Sequence, residues 1–572
     1  MPKMKHLYKF VYISLIVSVL FSCRETPAVP YQATKSTIAD SAMVVSPHPL
    51  ASQVGLDILR SGGNAMDAMV AVQFAIAVVY PRAGNIGGGG FLIYRMENGD
   101  NAALDYREKA PAAASRDMYL DSLGNPVPDL SYAGHLAAGV PGTVDGLLTA
   151  HARFGKLPLA RLIDPAIRLA SEGYPVSATE AARLNRYQED FKKYNTDQCP
   201  FIKAEWKEGD LLKQPELAQT LTRIRDKGRD GFYAGETASF IAAEMKEGNG
   251  IITPDDLKEY QAKWREPVIG EYKGYKLISM PPPSSGGITM MEMLEMIEPF
   301  PLHDWGFHTT QSVHLMVEAM RRAYADRAEH LGDSDFYPVP GDSLLSAGYI
   351  TGRMADFSPD SASASESTRA HPFALAKESF ETTHTSIVDA QGNAASVTTT
   401  LNGNFGCKVW VDGAGFFLNN EMDDFSVKPG VPNAYGLVGA EANAIAPGKR
   451  MLSSMTPTIV EKDGKWFMVV GTPGGSTIIT SVMQVFLNVV EFDQPIDEAI
   501  SRPRFHHQWL PNEIMAEKGA FDEATKKELE AKGHAVREVE AIAVVKGILR
   551  RQDGKIQGAG DPRNPEDDAR GY

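Results

Sequence analysis

Between residues 383 and 401 the chain carries two runs of alternating β-forming residues, Thr383 to Asp389 and Ala394 to Leu401, around the turn Ala390-Gln391-Gly392-Asn393. This pattern predicts a β-hairpin. With Asp389 opposite Ala394 across a four-residue loop, antiparallel register sets Thr383 opposite Thr400 and Thr382 opposite Leu401; a single bulge would move Thr382 opposite Thr400. Thr400 therefore falls within one residue of Thr382. A Thr-rich strand also simply satisfies β propensity, so the pairing gains meaning only from what Thr382 does.

Thr382 opens the hairpin after a Ser-, Asp-, Ala- and Glu-rich stretch, Asp356 to Arg369, whose composition predicts a mobile segment. A threonine hydroxyl is a poor nucleophile at neutral pH. One at a chain terminus carries its own base, the α-amine, with a pKa of roughly 7.7 to 8.0. Cleavage between Glu381 and Thr382 would create such a terminus.

The 572 residues are 43% hydrophobic, enough for a large core, and the net charge of -15 with no Lys/Arg block argues against nucleic acid as a partner. At the N-terminus, Lys3, Lys5 and Lys9 precede a short apolar run from Phe10 to Phe21, which reads as an export signal. Leu20-Phe21-Ser22-Cys23 resembles a bacterial lipobox with Cys23 as the lipidated residue, the alternative being an ordinary signal peptide with an incidental cysteine. Either reading places the protein outside the cytoplasm, in the periplasm or on a membrane. Cys199 and Cys407 are expected either to pair in that oxidising compartment or to be buried as small hydrophobes.

Two helices, Ala51 to Arg60 and Asn64 to Val79, are predicted around Gly62-Gly63, the second apolar nearly all round and suited to a core. Gly84 to Gly90 lacks the residues of a phosphate cradle, and close backbone packing is its favoured account. Leu302 to Leu331 is helical in character. No HExxH or paired-cysteine spacing is present, and His506-His507 beside Trp509 reads as packed or hydrogen-bonded rather than metal-binding. The cluster Asn419-Asn420-Glu421-Met422-Asp423-Asp424-Phe425 suits calcium, solvent or an ammonium group. Gly474-Gly475 offers two unobstructed N–H donors for an oxyanion.

The order of these pieces resembles the γ-glutamyltranspeptidase family of N-terminal nucleophile hydrolases from about Ala39 to Tyr572. The run is Gly-Gly-Asn-Ala-Met-Asp-Ala at 62–68, Gly-Gly-Gly-Gly-Phe at 87–91, Asp105-Tyr106-Arg107-Glu108, Pro-Gly-Thr-Val-Asp-Gly at 141–146, Thr-Thr-His at 382–384, Asn-Asn-Glu-Met-Asp-Asp-Phe at 419–425, Ser-Ser-Met at 453–455 and Pro-Gly-Gly-Ser at 473–476. The resemblance implies an α/β fold of αββα sandwich type, made as one precursor that cuts itself at Glu381-Thr382. Residues 1–22 would then be a lipoprotein-type signal, 23–38 a linker, 39–381 a large subunit and 382–572 a small one. It further implies Thr382 as nucleophile, Thr400 as its hydroxyl partner, and Gly474 and Gly475 as oxyanion donors. Arg107, Ser453 and Ser454 match residues that hold a glutamyl α-carboxylate. Asn402, Glu421 and Asp424 match those that receive its α-ammonium, with both acids expected to be ionised; Glu421 stands where some members carry Gln. Tyr435, within Pro429 to Gly439, matches the aromatic residue of a substrate-covering lid. The implied substrates are glutathione and other γ-glutamyl amides, with water, amino acids or dipeptides as acceptors, and no metal or organic cofactor. Two rivals share parts of this pattern: a cephalosporin or glutaryl amidase on the same scaffold, and an inactive lipoprotein that binds γ-glutamyl compounds.

Overall fold

The computed structural model describes residues 31–196, 198–365, 382–428, 430, 437 and 439–572. Cys23, Glu381 and Tyr435, the export segment 1–22 and the part of the serine-rich stretch from 366 to 369 lie outside the described residues.

Two seven-stranded antiparallel sheets form the centre. One runs Ser36–Ala39, Ile556–Gly560, Lys546–Arg550, Lys465–Gly471, Thr458–Lys462, Tyr275–Ser279, Val268–Tyr272. The other runs Asp568–Gly571, Met43–Ser46, Thr383–Val388, Ala394–Thr400, Gly89–Arg95, Asn101–Asp105, Lys263–Arg265. Side chains alternate between layers with the period of two that a strand imposes. In the second sheet Phe91 and Ile93 face a core shared with Ile278, Ile459, Val469 and Ile548 of the first, while Leu92 and Tyr94 face outward into a helical layer. In the first sheet Val469 points to the shared core, and Met468 and Val470 point to a second helical layer. Helix, sheet, sheet, helix is the result, as the family resemblance implies.

The helix on the second sheet, Ala65–Val79, starts where predicted. Asn64 caps it, its side chain accepting from the Asp67 N–H while the Asp67 carboxylate accepts from the Asn64 N–H. All 15 of its residues are buried, which explains its uniform apolarity. The preceding helix, Pro49–Arg60, ends against Gly62 at φ 92°, the left-handed turn that glycine makes without penalty.

Two expectations need correction. The helical stretch from Leu302 to Leu331 is not one helix: a short turn at Leu302–Trp305 stops at Gly306, φ 87°, and the main helix restarts at Thr310–His330, capped by the Thr309 hydroxyl. The serine-rich stretch is anchored through its described part. Ser363 N–H donates to Glu318, Ala362 N–H to the Lys532 carbonyl, and Ser365 is fully buried, with its carbonyl accepting from the Trp509 indole at 2.9 Å. Polar partners order these residues where apolar burial cannot.

Candidate active site

The hairpin forms with its loop one residue longer than predicted. Val388, not Asp389, pairs with Ala394, so Thr383 lies opposite Thr399 and Thr382 comes level with Thr400. Asp389 is responsible: its carboxylate accepts from the N–H groups of Gln391 and Asn393, each at 3.0 Å, and its own N–H donates to the Asn393 carbonyl. Thr382 Oγ1 consequently donates to Thr400 Oγ1 at 3.3 Å, and Thr400 Oγ1 also accepts from the Asn402 N–H at 2.7 Å.

The glycine run fixes Thr400 from the other side. A Cβ on Gly88 would lie 2.1 Å from the Thr400 carbonyl oxygen, and one on Gly87 2.1 Å from that of Phe417. Close backbone approach is what these glycines supply. Asn85, held in the same turn, donates from Nδ2 to the Thr400 carbonyl at 2.8 Å.

Thr382 and Thr400 share a pocket with Arg107, Asn402, Glu421 and Asp424, closed on another side by Ser453, Ser454 and Gly475. Leu437 and Gly439, from the segment expected to form a lid, also line it. Gly475 adopts φ 54° and Gly474 φ 143°. Gly474 is not part of the pocket wall; its carbonyl is taken by the Thr477 N–H and hydroxyl.

Arg107 follows the Asn101–Asp105 strand and its side chain is wholly buried. Its Nη1 lies 2.5 Å from Glu421 Oε2, its Nη2 bonds Asp424, and Glu108 stands 3.6 Å away. The carboxylate-binding and ammonium-binding groups assigned from sequence thus hold one another. Nor are both acids simply ionised: burial pushes Glu421 well above its ordinary range and raises Asp424, against the pull of Arg107. With three carboxyls around one guanidinium, the charge on each influences the others.

Ser453 and Ser454 are set by a feature invisible to pattern reading. Arg327, on the Thr310–His330 helix, lines the same pocket and donates to Ser454 Oγ at 3.0 Å and Ser285 Oγ at 2.9 Å. No sequence motif marks it.

Elsewhere, other candidate groups are occupied structurally. His384 is buried between Thr398 Oγ1 at 2.9 Å and Ser386 Oγ at 3.0 Å, and burial drives its pKa well below the ordinary value. His506 bonds Thr480 and Gln508. Cys199 and Cys407 are buried, unpaired thiols that burial pushes up to about 12, so the disulfide alternative does not hold. His314, Glu318 and His534 bring ligand-type atoms within 4.8 Å of one another, but Glu318 already pairs with Arg321 and Arg322. Among the described residues no helix is long and apolar enough to cross a membrane.

A family profile described as gamma-glutamyltranspeptidase matches residues 51–571. The glutathione hydrolase proenzyme of Escherichia coli (strain K12) is 47% identical over 538 residues, covering 93% of this chain and 92% of that protein. The chain belongs to the γ-glutamyltranspeptidase family. Among solved structures, the γ-glutamyltranspeptidase of Helicobacter pylori is 47% identical with a TM-score of 0.55, covering 58% of this chain and 95% of that one. The cephalosporin acylase of Bacillus halodurans superposes with a TM-score of 0.82 at 26% identity, covering 96% of this chain and 99% of that one. Acylase and transpeptidase share the sandwich, so the acyl group accepted must be argued from the pocket.

Proposed function

We propose that this family member is a γ-glutamyltransferase and glutathione hydrolase, exported as a lipoprotein through Cys23 and processed into two chains. The observation that carries the reading is the position of Thr382, on the wall of a pocket that also holds a buried guanidinium, carboxyl groups and paired serine hydroxyls. A γ-glutamyl donor presents an α-carboxylate and an α-ammonium on one carbon, and buried charges need partners of opposite sign.

In the precursor, Thr382 Oγ attacks the carbonyl carbon of Glu381. The C–N bond breaks, the amine of Thr382 takes a proton, and an ester links the two chains until water hydrolyses it. The liberated α-amine then serves as base while Thr382 Oγ attacks the γ-carbonyl of the donor. Thr400, already hydrogen-bonded to Thr382, holds the hydroxyl's rotamer. Gly475 and Gly474 are assigned to the developing oxyanion through their N–H groups. Cysteinylglycine or another amine leaves with a proton, and water or an acceptor amine takes the acyl group. Tyr435 is assigned to the lid. Arg107, Ser453 and Ser454 would face the donor's α-carboxylate, and Asn402, Glu421 and Asp424 its ammonium. Arg107 pairs with Glu421 and Asp424, so donor binding must exchange these contacts for contacts to the donor's own charges.

The glutaryl amidase alternative differs only at the ammonium. Measuring kcat/KM for γ-glutamyl and glutaryl anilides on one preparation therefore tests the reading, because both offer Thr382 the same scissile amide. We expect the glutamyl donor to win by about 10³-fold or more, since a site built for a polar group strongly rejects an analogue that lacks it. Comparable rates would overturn the substrate while leaving the nucleophile standing.

A further inference from the structure

The pocket holds two buried guanidinium groups, and they differ in what they already bind. Arg107 is saturated by Glu421 and Asp424. Arg327, 3% exposed, has no carboxylate within ion-pairing distance among the described residues; its partners are the hydroxyls of Ser285 and Ser454. Those contacts form a clamp. Ser285 donates both its N–H and its hydroxyl to the Ser453 carbonyl, each at 2.7 Å, and its oxygen accepts from Arg327. A single side chain on the Thr310–His330 helix thereby fixes the Ser453-Ser454 segment at one end and the Ser454 hydroxyl at the other.

The direction of the hydrogen bond matters. A guanidinium can only donate, so Ser454 Oγ must accept from Arg327, and its single proton is left for another acceptor. An anion in the pocket is such an acceptor. Burial presses the Arg327 guanidinium toward losing its charge, with Tyr324 and Asp424 opposing this, and an anion nearby would relieve that cost.

We propose that Arg327 is a positioning residue for the donor's α-carboxylate, acting through the Ser285–Ser453–Ser454 clamp to aim the Ser454 hydroxyl at it and supplying the pocket's second positive charge. The inference rests on the γ-glutamyl reading above and extends it to a residue outside the motifs that carry the resemblance.

The test compares two anilides, γ-glutamyl and 4-aminobutyryl, which differ only in the α-carboxylate, on wild type, Arg327→Gln and Arg327→Lys. For Arg327→Gln we expect KM for the γ-glutamyl donor to rise about 10- to 100-fold, the loss typical of a hydrogen bond to a charged group. Its kcat should stay within about threefold, and its kcat/KM for the 4-aminobutyryl donor should match wild type within the same factor. Arg327→Lys, which keeps the charge but not the fork, should recover part of the γ-glutamyl KM. If Arg327→Gln does not fold, Arg327→Lys carries the same comparison, with a smaller KM rise confined to the γ-glutamyl donor. Equal losses on both donors, or an unchanged γ-glutamyl KM, overturn the inference alone. A wild type that does not turn over the γ-glutamyl anilide removes the reading beneath it as well, so the two failures are distinguishable.

Discussion

Glu108 is the carboxyl beside Arg107 with the least help. It is fully buried, neither of its oxygens has a hydrogen-bond partner, and burial pushes it up to about 8 against the attraction of Arg107 3.6 Å away. In the unfolded chain a glutamate titrates near about 4.3. Between those values the native state holds a proton that the unfolded state releases. Glu108 therefore contributes full stability below about pH 4.3, and that contribution is lost as pH rises through about 8. Glu108→Gln has no such proton to lose. Denaturant unfolding of both proteins at pH 5 and pH 8.5 should show the wild type losing about 2 kcal/mol or more relative to the variant at the higher pH. A difference that does not change with pH would mean that Glu108 is ionised in the fold.

At the scale of elements, the Asp389 side chain ties the hairpin to the start of the helix Ala65–Val79, beside the bond from Gln73 to the Thr385 hydroxyl. Asp389 Oδ2 accepts from the Ala65 N–H at 2.8 Å, at the positive end of that helix, while Oδ1 closes the hairpin loop. Asp389→Ala should lower stability by about 2 to 4 kcal/mol, read from denaturant unfolding, since several bonds to a buried carboxylate vanish together. A loss below about 0.5 kcal/mol would mean that the register is held elsewhere. The same residue marks how far sequence reaches. Alternation and turn composition predict the hairpin and bring Thr400 beside Thr382, but the loop length depends on how the Asp389 side chain folds back, which alternation does not encode. The Ala65–Val79 helix was legible because cap and apolar run are local. The stop at Gly306 was passed over because the helical character continues on both sides. At the site, the motifs located Arg107, Glu421 and Asp424 but not their mutual pairing, and Arg327 was unreadable because only tertiary packing brings its helix against Ser454.

The whole molecule explains how one peptide bond can be lost without losing the fold. In the second sheet the strands Thr383–Val388 and Ala394–Thr400 lie between Met43–Ser46 and Gly89–Arg95, and Asp568–Gly571 pairs on the far side of Met43–Ser46. In the first, Ser36–Ala39 and Tyr275–Ser279 flank strands drawn from beyond residue 458. Segments from before and after Thr382 thus alternate through both sheets and share one core, so chains cut at that point should stay associated under native conditions and separate only when denatured. The central claim is that Thr382 becomes a chain terminus and then acts as nucleophile. N-terminal sequencing of the bands from a denaturing gel tests this most directly, with Thr382→Ala run beside the wild type. The account predicts a smaller wild-type chain beginning at Thr382 and a single uncut chain in the variant; a smaller chain beginning at another residue, or a Thr382→Ala protein that is cut normally, would contradict it.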